Sequence, residues 1–297
     1  MGYYSGSAND MNALRTALVA ACTAEGWSWN SSTQEISKGT VVVQVQVLSQ
    51  HLSFVARVSS GSSNASQPVK LGRLSEAAGW ALSWPMAYHL FVFAAEVYLV
   101  AVYDLDKYLW AAFGETTVDG VPGVGTWLGA NAADTVSTGP VPIGITPFGG
   151  GGSFMAPALF HANSSSQAAS RNCWVHHDFE GYGWFWGVGV SAVPVGIQHA
   201  VPLLGLLPNA WNSEAVLLPL RAFVARPSFK VSMVVDCEHA RITRIDNYDP
   251  GQIITLGSDR WMVLPWYRKN TTVRNGINGS GIDHTGTMGW AIRYEGP

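Results

Sequence analysis

Five side chains with an affinity for soft metal ions, Cys173, His176, His177, Cys237 and His239, lie in the second half of this 297-residue sequence. Thiolates and imidazoles are the usual zinc ligands, but structural sites draw them from paired, closely spaced motifs. No CxxC or HxxxH pair is present, so the five read as separate residues on strands. Two carboxylate pairs, Asp178 with Glu180 and Asp236 with Glu238, share a face if their segments are extended. Such pairs serve glycoside hydrolysis when their separation is right, and otherwise form a solvated face. The run Gly149 to Gly152 lacks the Lys-Ser/Thr ending of a phosphate loop. Neither a G-x-S-x-G elbow nor an H-E-x-x-H motif occurs. No catalytic residue, cofactor or metal is expected from these patterns.

Aromatic side chains offer the remaining binding chemistry. Trp184 with Trp186, and Trp261 with Trp266 beside Arg268, are the candidate interface or ligand-facing residues. Indole faces stack on sugars and bury large areas at interfaces. The competing reading is that they fill a β core or a subunit contact.

Composition narrows the partners. Hydrophobic residues make up 47% and charged residues 12%, well below the usual quarter. The formal net charge of −3 supplies no positive field for phosphates, so no nucleic-acid partner is expected. Low charge with many aromatics fits a subunit that buries surface against others. Three widely spaced cysteines do not form a disulfide framework. The N-terminus lacks the basic and apolar regions of a signal peptide, so the N-x-S/T triplets at Asn64 and Asn278 read as chance. The apolar run from Met86 to Tyr103 is interrupted by His89 and Glu96 and rich in β-branched and aromatic residues. It reads as two strands around Ala94-Ala95-Glu96, and no integral membrane segment is expected.

The elements that must hold these residues are mostly strands. Asn9 or Asp10 can cap a helix whose apolar positions are Met11, Leu14, Leu18 and Ala21 or Cys22, with Gly26 closing it. Trp27 and Trp29 then alternate outward from a turn. "TVVVQVQVLS" and "HLSFVARVSS" follow as strands, Ser75 to Trp84 as a short helix, and Tyr108 to Phe113 as another strand. From Glu115 to Ser170 Gly, Pro and Ser accumulate, which predicts irregular connection. "EAVLLPLRAFVAR" is apolar, and "KVSMVVDCEHARITRI" reads as a pair of strands. Asp249-Pro250-Gly251 is a turn, Ile253 to Leu256 a strand, Gly257-Ser258-Asp259 a hairpin connection, and Trp261 to Leu264 the return. Trp261 and Val263 share one face of that hairpin and Met262 and Leu264 the other, so neither face suits water.

The expected fold is α+β, mainly β, in three parts. Residues 1–114 form an N-terminal module with its helix on antiparallel strands, 115–170 a Gly/Pro/Ser-rich connection, and 171–297 a C-terminal β-module.

Both ends also resemble a family of tailed-bacteriophage and prophage virion proteins encoded among tail genes. The opening "YYSGSANDMNALRTALVAACTAEGWSWNSSTQEISKGTVVVQV" is similar to their N-terminal module of helix, Gly-Trp turn and "SKG" hairpin. The closing "RIDNYDPGQIITLGSDRWMVLPWYRKN" with "DHTGTMGWAIRY" is similar to their terminal β-module, in which "W-x-V-x-P" precedes a basic loop and a final strand. The likeness covers about the first and last quarters and carries no catalytic signature. It implies a structural virion protein of the tail tip, baseplate or fibre attachment, made in the host bacterial cytoplasm. Its partners would be copies of itself, with a trimer favoured, and neighbouring tail proteins. The alternatives are a carbohydrate- or receptor-binding module that meets a host surface glycan, and a tail-associated hydrolase using an acidic pair.

Overall fold

The computed structural model describes residues 1–58, 63, 68–73, 82–136, 139–142, 159–160, 173–177, 183–185, 217–226, 228, 230–266, 269, 277–278, 281–282 and 288–297. The chain opens with β1 (Gly2–Ala8), α1 (Met11–Ala24), β2 (Ser28–Asn30), β3 (Glu35–Lys38), β4 (Val41–Leu48), β5 (His51–Arg57) and β6 (Val69–Arg73). It continues with β7 (Met86–Val92), β8 (Glu96–Asp104), β9 (Lys107–Val118), β10 (Val121–Ala130), β11 (Ala132–Val136) and β12 (Gly139–Pro142). Then come β13 (Cys173–His177), β14 (Gly183–Phe185), β15 (Leu218–Arg226), β16 (Lys230–Arg244), β17 (Ile253–Leu256) and β18 (Asp259–Pro265). The short pair β19 (Ile277–Asn278) and β20 (Gly281–Ile282) precedes β21 (Met288–Arg293). Among the described residues the fold is mainly β with one helix, at the N-terminus, in line with the α+β, mainly β expectation.

Three sheets carry the architecture. A central sheet has the order β1-β7-β8-β9-β10-β13-β14, a second β12-β11-β6-β5-β4-β3-β2, and a C-terminal sheet β15-β16-β21-β18-β17. Apart from the parallel β6/β11 contact, the pairings in these sheets are antiparallel.

Side-chain alternation sets the order of layers. On β8 and β9, Tyr98, Val100, Tyr108, Trp110 and Ala112 enter one core with Leu220, Val234, Ile242, Leu264 and Trp290 of the C-terminal sheet. Their neighbours Val97, Leu99, Ala101, Leu109, Ala111 and Phe113 enter a second core with α1, β4 and β5. The central sheet is therefore covered on both faces. Two-sided burial demands largely apolar strands, which accounts for the run from Met86 to Tyr103, broken in polarity only by His89 and Glu96. That run turns at Ala94-Ala95, between β7 and β8. No helix among the described residues is long and apolar enough to cross a membrane.

Local chemistry fixes α1. Asp10 accepts a bond from the Ala13 N–H at 2.7 Å as the N-cap. Met11, Leu14, Leu18, Ala21 and Cys22 are its buried stripe. Trp27 turns inward rather than outward, because its indole N–H donates to the Phe93 carbonyl at 3.0 Å across the second core.

Two expectations give way. The stretch from Glu115 is strand as far as Pro142, apart from short connections and two residues outside the description. The compositional boundary at 114/115 falls inside β9, and β10 pairs directly with β13 across the supposed connection. The glycines there are contact residues: a Cβ on Gly114 would come within 2.8 Å of the Ala95 carbonyl oxygen, and one on Gly125 would collide with the His176 carbonyl. Residues 230–244 form one long strand rather than a pair. The segments 74–81, 143–158 and 161–172 lie outside the described residues, and with them most of the Ser75 to Trp84 helix and the tetraglycine.

An ion pair reaching across β4 yields a pH prediction. Glu35 on β3 holds Arg57 on β5 through bonds of 2.5 and 2.7 Å, and accepts from the Thr33 hydroxyl at 2.8 Å. The Arg57 guanidinium, more than the opposing effect of burial, keeps the Glu35 carboxyl below its ordinary range. Its stabilisation is complete above the unfolded carboxyl value of about 4.3 and disappears as pH falls through the lower folded value. The thermal midpoint difference between the wild type and Glu35→Gln should be positive at pH 7 and shrink below about pH 4.

Candidate functional site

Only one place among the described residues brings buried ionisable groups from two sheets together around a backbone irregularity. In the β15/β16 ladder Pro219 pairs with Arg241 while Leu220 pairs with Cys237, so residues 238–240 bulge from the strand. A bulge leaves its amides and carbonyls without ladder partners. Side chains from outside the bulge satisfy groups of both kinds. Glu96, the first residue of β8 after the Ala94-Ala95 turn, accepts from the Glu238 N–H at 2.8 Å and the His239 N–H at 3.0 Å. Arg241 donates to the Cys237 and Ala240 carbonyls at 2.7 and 2.8 Å.

The same carboxylate gathers two side chains. The Tyr98 hydroxyl donates to it at 2.9 Å, and His239 Nδ1 lies 3.0 Å from its Oε2. Phe93 stacks on the imidazole with ring centroids 3.9 Å apart and planes 13° apart. Glu96 and His239 side chains are each only 7% exposed. A carboxylate at Nδ1 with an aromatic face on the ring immobilises the imidazole. The arrangement ties the central sheet to the bulge of the C-terminal sheet.

Burial pushes the Cys237 thiol well up, helped by the Glu96 charge, so it stays protonated. Burial likewise raises Cys22, and it pushes Cys173 up to about 12. All three are free and buried. A thiol reagent should therefore label none of them in the native protein and all three in denaturant. Rapid labelling of even one native cysteine would contradict the packing of these cores.

The candidate residues separate as follows. Trp261 is buried in a small third core with Ile245, Tyr248, Val263 and Ala291, under the Arg241 guanidinium at 5.1 Å from its ring centroid. Met262 and Leu264, on the opposite face of β18, belong to the core beneath the central sheet. Both faces of β18 from Trp261 to Leu264 are covered from within the chain, whereas β17 is largely exposed. Trp266 has no exposure and lies 4.3 Å from Trp290 and 5.6 Å from Trp110, centroid to centroid. Trp184 is partly buried, 5.1 Å from the His176 ring. Trp186 and Arg268 lie outside the described residues.

His176 and His177 are buried on β13, and Cys237 and His239 sit on β16. No group of three or more His, Cys, Asp or Glu among the described residues is placed to hold a metal ion. Asp236 is engaged by Arg221 through bonds of 2.9 and 3.0 Å, so the Asp236/Glu238 pair is divided by an ion pair. Asp178 and Glu180 are outside the description. Sequence reasoning missed Glu96 as a hub. Its signal was present, since a lone carboxylate inside an apolar run must find donors when buried.

No protein-family pattern and no curated protein matches the chain.

Proposed function

We propose that this chain is a non-enzymatic structural protein of a tailed-bacteriophage virion, joining subunits in the tail tip or baseplate as a homo-oligomer, with a trimer favoured. The observation that carries this reading is the placement of the aromatic residues. Trp110, Trp127, Trp266 and Trp290 lie without exposure between the central and C-terminal sheets, and Trp261 is buried on the outer side of the C-terminal sheet. Aromatic mass spent this way makes a stiff three-layered body rather than an open groove for sugars. Asn131 braces the same junction: its side chain accepts from the Trp110 N–H at 2.6 Å and donates to the Trp266 carbonyl at 3.1 Å. The likeness of both sequence ends to tail proteins supplies the virion context. The buried histidine and its carboxylate hold two sheets together in this reading and do no chemistry.

Deletion of the gene from the phage or prophage tests it. The expected result is defective tails and loss of infectivity, restored by the gene in trans. Complete, infectious particles lacking the chain would overturn the proposal, and a strong glycan-array signal from the purified protein would move it to a receptor-binding module.

A further inference from the structure

Among the described residues, no strand lies on the outer edge of β17 in the C-terminal sheet. β17 pairs with β18 alone and ends the sheet. Proteins usually blunt such edges with charge, proline or a bulge. Here Pro250 and a bulge, in which the Gly251 N–H and the Gln252 carbonyl both bond to Val263, lie before the strand. The four-residue strand itself has neither, the nine residues Pro250 to Ser258 carry no charge, and Ile253 and Leu256 are 38% and 42% exposed.

The ladder says which backbone groups face outward. Val263 N–H donates to the Gln252 carbonyl at 2.9 Å, and the pairing runs on through Ile253↔Met262, Ile254↔Trp261, Thr255↔Arg260 and Leu256↔Asp259. Hydrogen-bonded and non-hydrogen-bonded pairs alternate along an antiparallel ladder. Ile254 and Leu256 therefore bond inward to β18, and Ile253 and Thr255 point their N–H and C=O groups away from it.

We propose that this edge is a homotypic contact, in which β17 of a second copy of the chain adds antiparallel about a twofold axis through Ile254. That register sets Ile253 against Thr255 of the second copy, and Thr255 against its Ile253, satisfying the outward groups of both strands. It brings Gln252 opposite Leu256 and places Ile254 opposite itself. Charge does not oppose it. The flanking carboxylates already have cations: Lys269 lies 3.7 Å from Asp249, and Arg293 lies 3.1 Å from Asp259. Main-chain bonds supply the affinity of strand addition, and side chains supply its register. The inference rests on the reading that the chain works by joining copies. A twofold contact pairs copies without closing a ring of three, so it is additional to any contact that sets a trimer.

The test is a register-specific disulfide in the full-length protein. Residues facing each other in a non-hydrogen-bonded antiparallel pair have Cα atoms about 4.5 Å apart, within disulfide range. Mild oxidation of Ile254→Cys should convert most of the chain to a covalent dimer on a non-reducing gel. Ile253→Cys, facing Thr255 instead of itself, should not cross-link. The native cysteines are buried and do not compete. Thr255→Pro removes an outward N–H without touching the β17/β18 ladder, so it should keep the wild-type circular dichroism and lose the concentration-dependent rise in mass by light scattering. Equal cross-linking of Ile253→Cys and Ile254→Cys, or no cross-linking by either in a folded protein, overturns the contact. Either result would leave the virion assignment standing if the chain is still found in tails.

Discussion

Trp290→Ala should lower the folding free energy by about 3–5 kcal/mol, the range for truncating a buried tryptophan. The expectation comes from position. Trp290 has no exposure and is the ring on which three others meet, with centroids at 4.3 Å for Trp266, 5.4 Å for Trp110 and 5.7 Å for Tyr98. These belong to three segments of chain, β8, β9 and the residue that follows β18, so the cavity would open between sheets and not within one. A native domain holds about 5–15 kcal/mol in total, so this single loss should leave the chain marginal or insoluble at 37 °C. Urea denaturation followed by circular dichroism reads the change directly. Trp290→Phe, which keeps most of the apolar volume, should recover a large part of it.

Glu96→Ala should cost a similar amount, about 3–5 kcal/mol, for a different reason. Removing one partner of a buried charged network strands the others in a low-dielectric interior. Here the Glu238 and His239 amides, the Tyr98 hydroxyl and the His239 ring would all lose their acceptor. Glu96→Gln keeps the volume but replaces one acceptor oxygen by a donor group; Oε1 serves one of those four donors and Oε2 the other three, so at least one donor would face another donor. It should fall between Ala and wild type. Hydrogen exchange separates this effect from the tryptophan one. The amides of residues 238 and 239 should lose protection before the rest of β16, because the carboxylate caps them and no neighbouring strand does.

The parts of this architecture legible in the residues are those with a local cause. Asp10 with the stripe Met11, Leu14, Leu18 and Cys22 specifies α1 without reference to anything distant. The hairpin β17/β18 follows from its turn, where Gly257 adopts φ +62 and leaves a two-residue loop, one residue tighter than the Gly257-Ser258-Asp259 connection expected. The central sheet was harder because burial on both faces erases the alternation that marks a strand. β10 was hidden by its own glycines, which resemble a linker until the sheet packing shows that Gly125 must admit the His176 carbonyl. The bulge at 238–240 was invisible for the same kind of reason. Its stabilising acid lies more than 140 residues away along the chain, as far as Glu96 is from Glu238 and His239, and no local pattern records that meeting. Trp261 and Trp266 carried a binding chemistry in the sequence that their burial redirects into packing.

The most direct test of the assembly role is immunogold electron microscopy of purified virions, using antibody raised against the folded chain, with mass spectrometry of the same particles. A structural tail protein predicts peptides of this chain in the particles and gold confined to the distal end of the tail. Particles free of these peptides, with the chain remaining in the cell lysate, would contradict it.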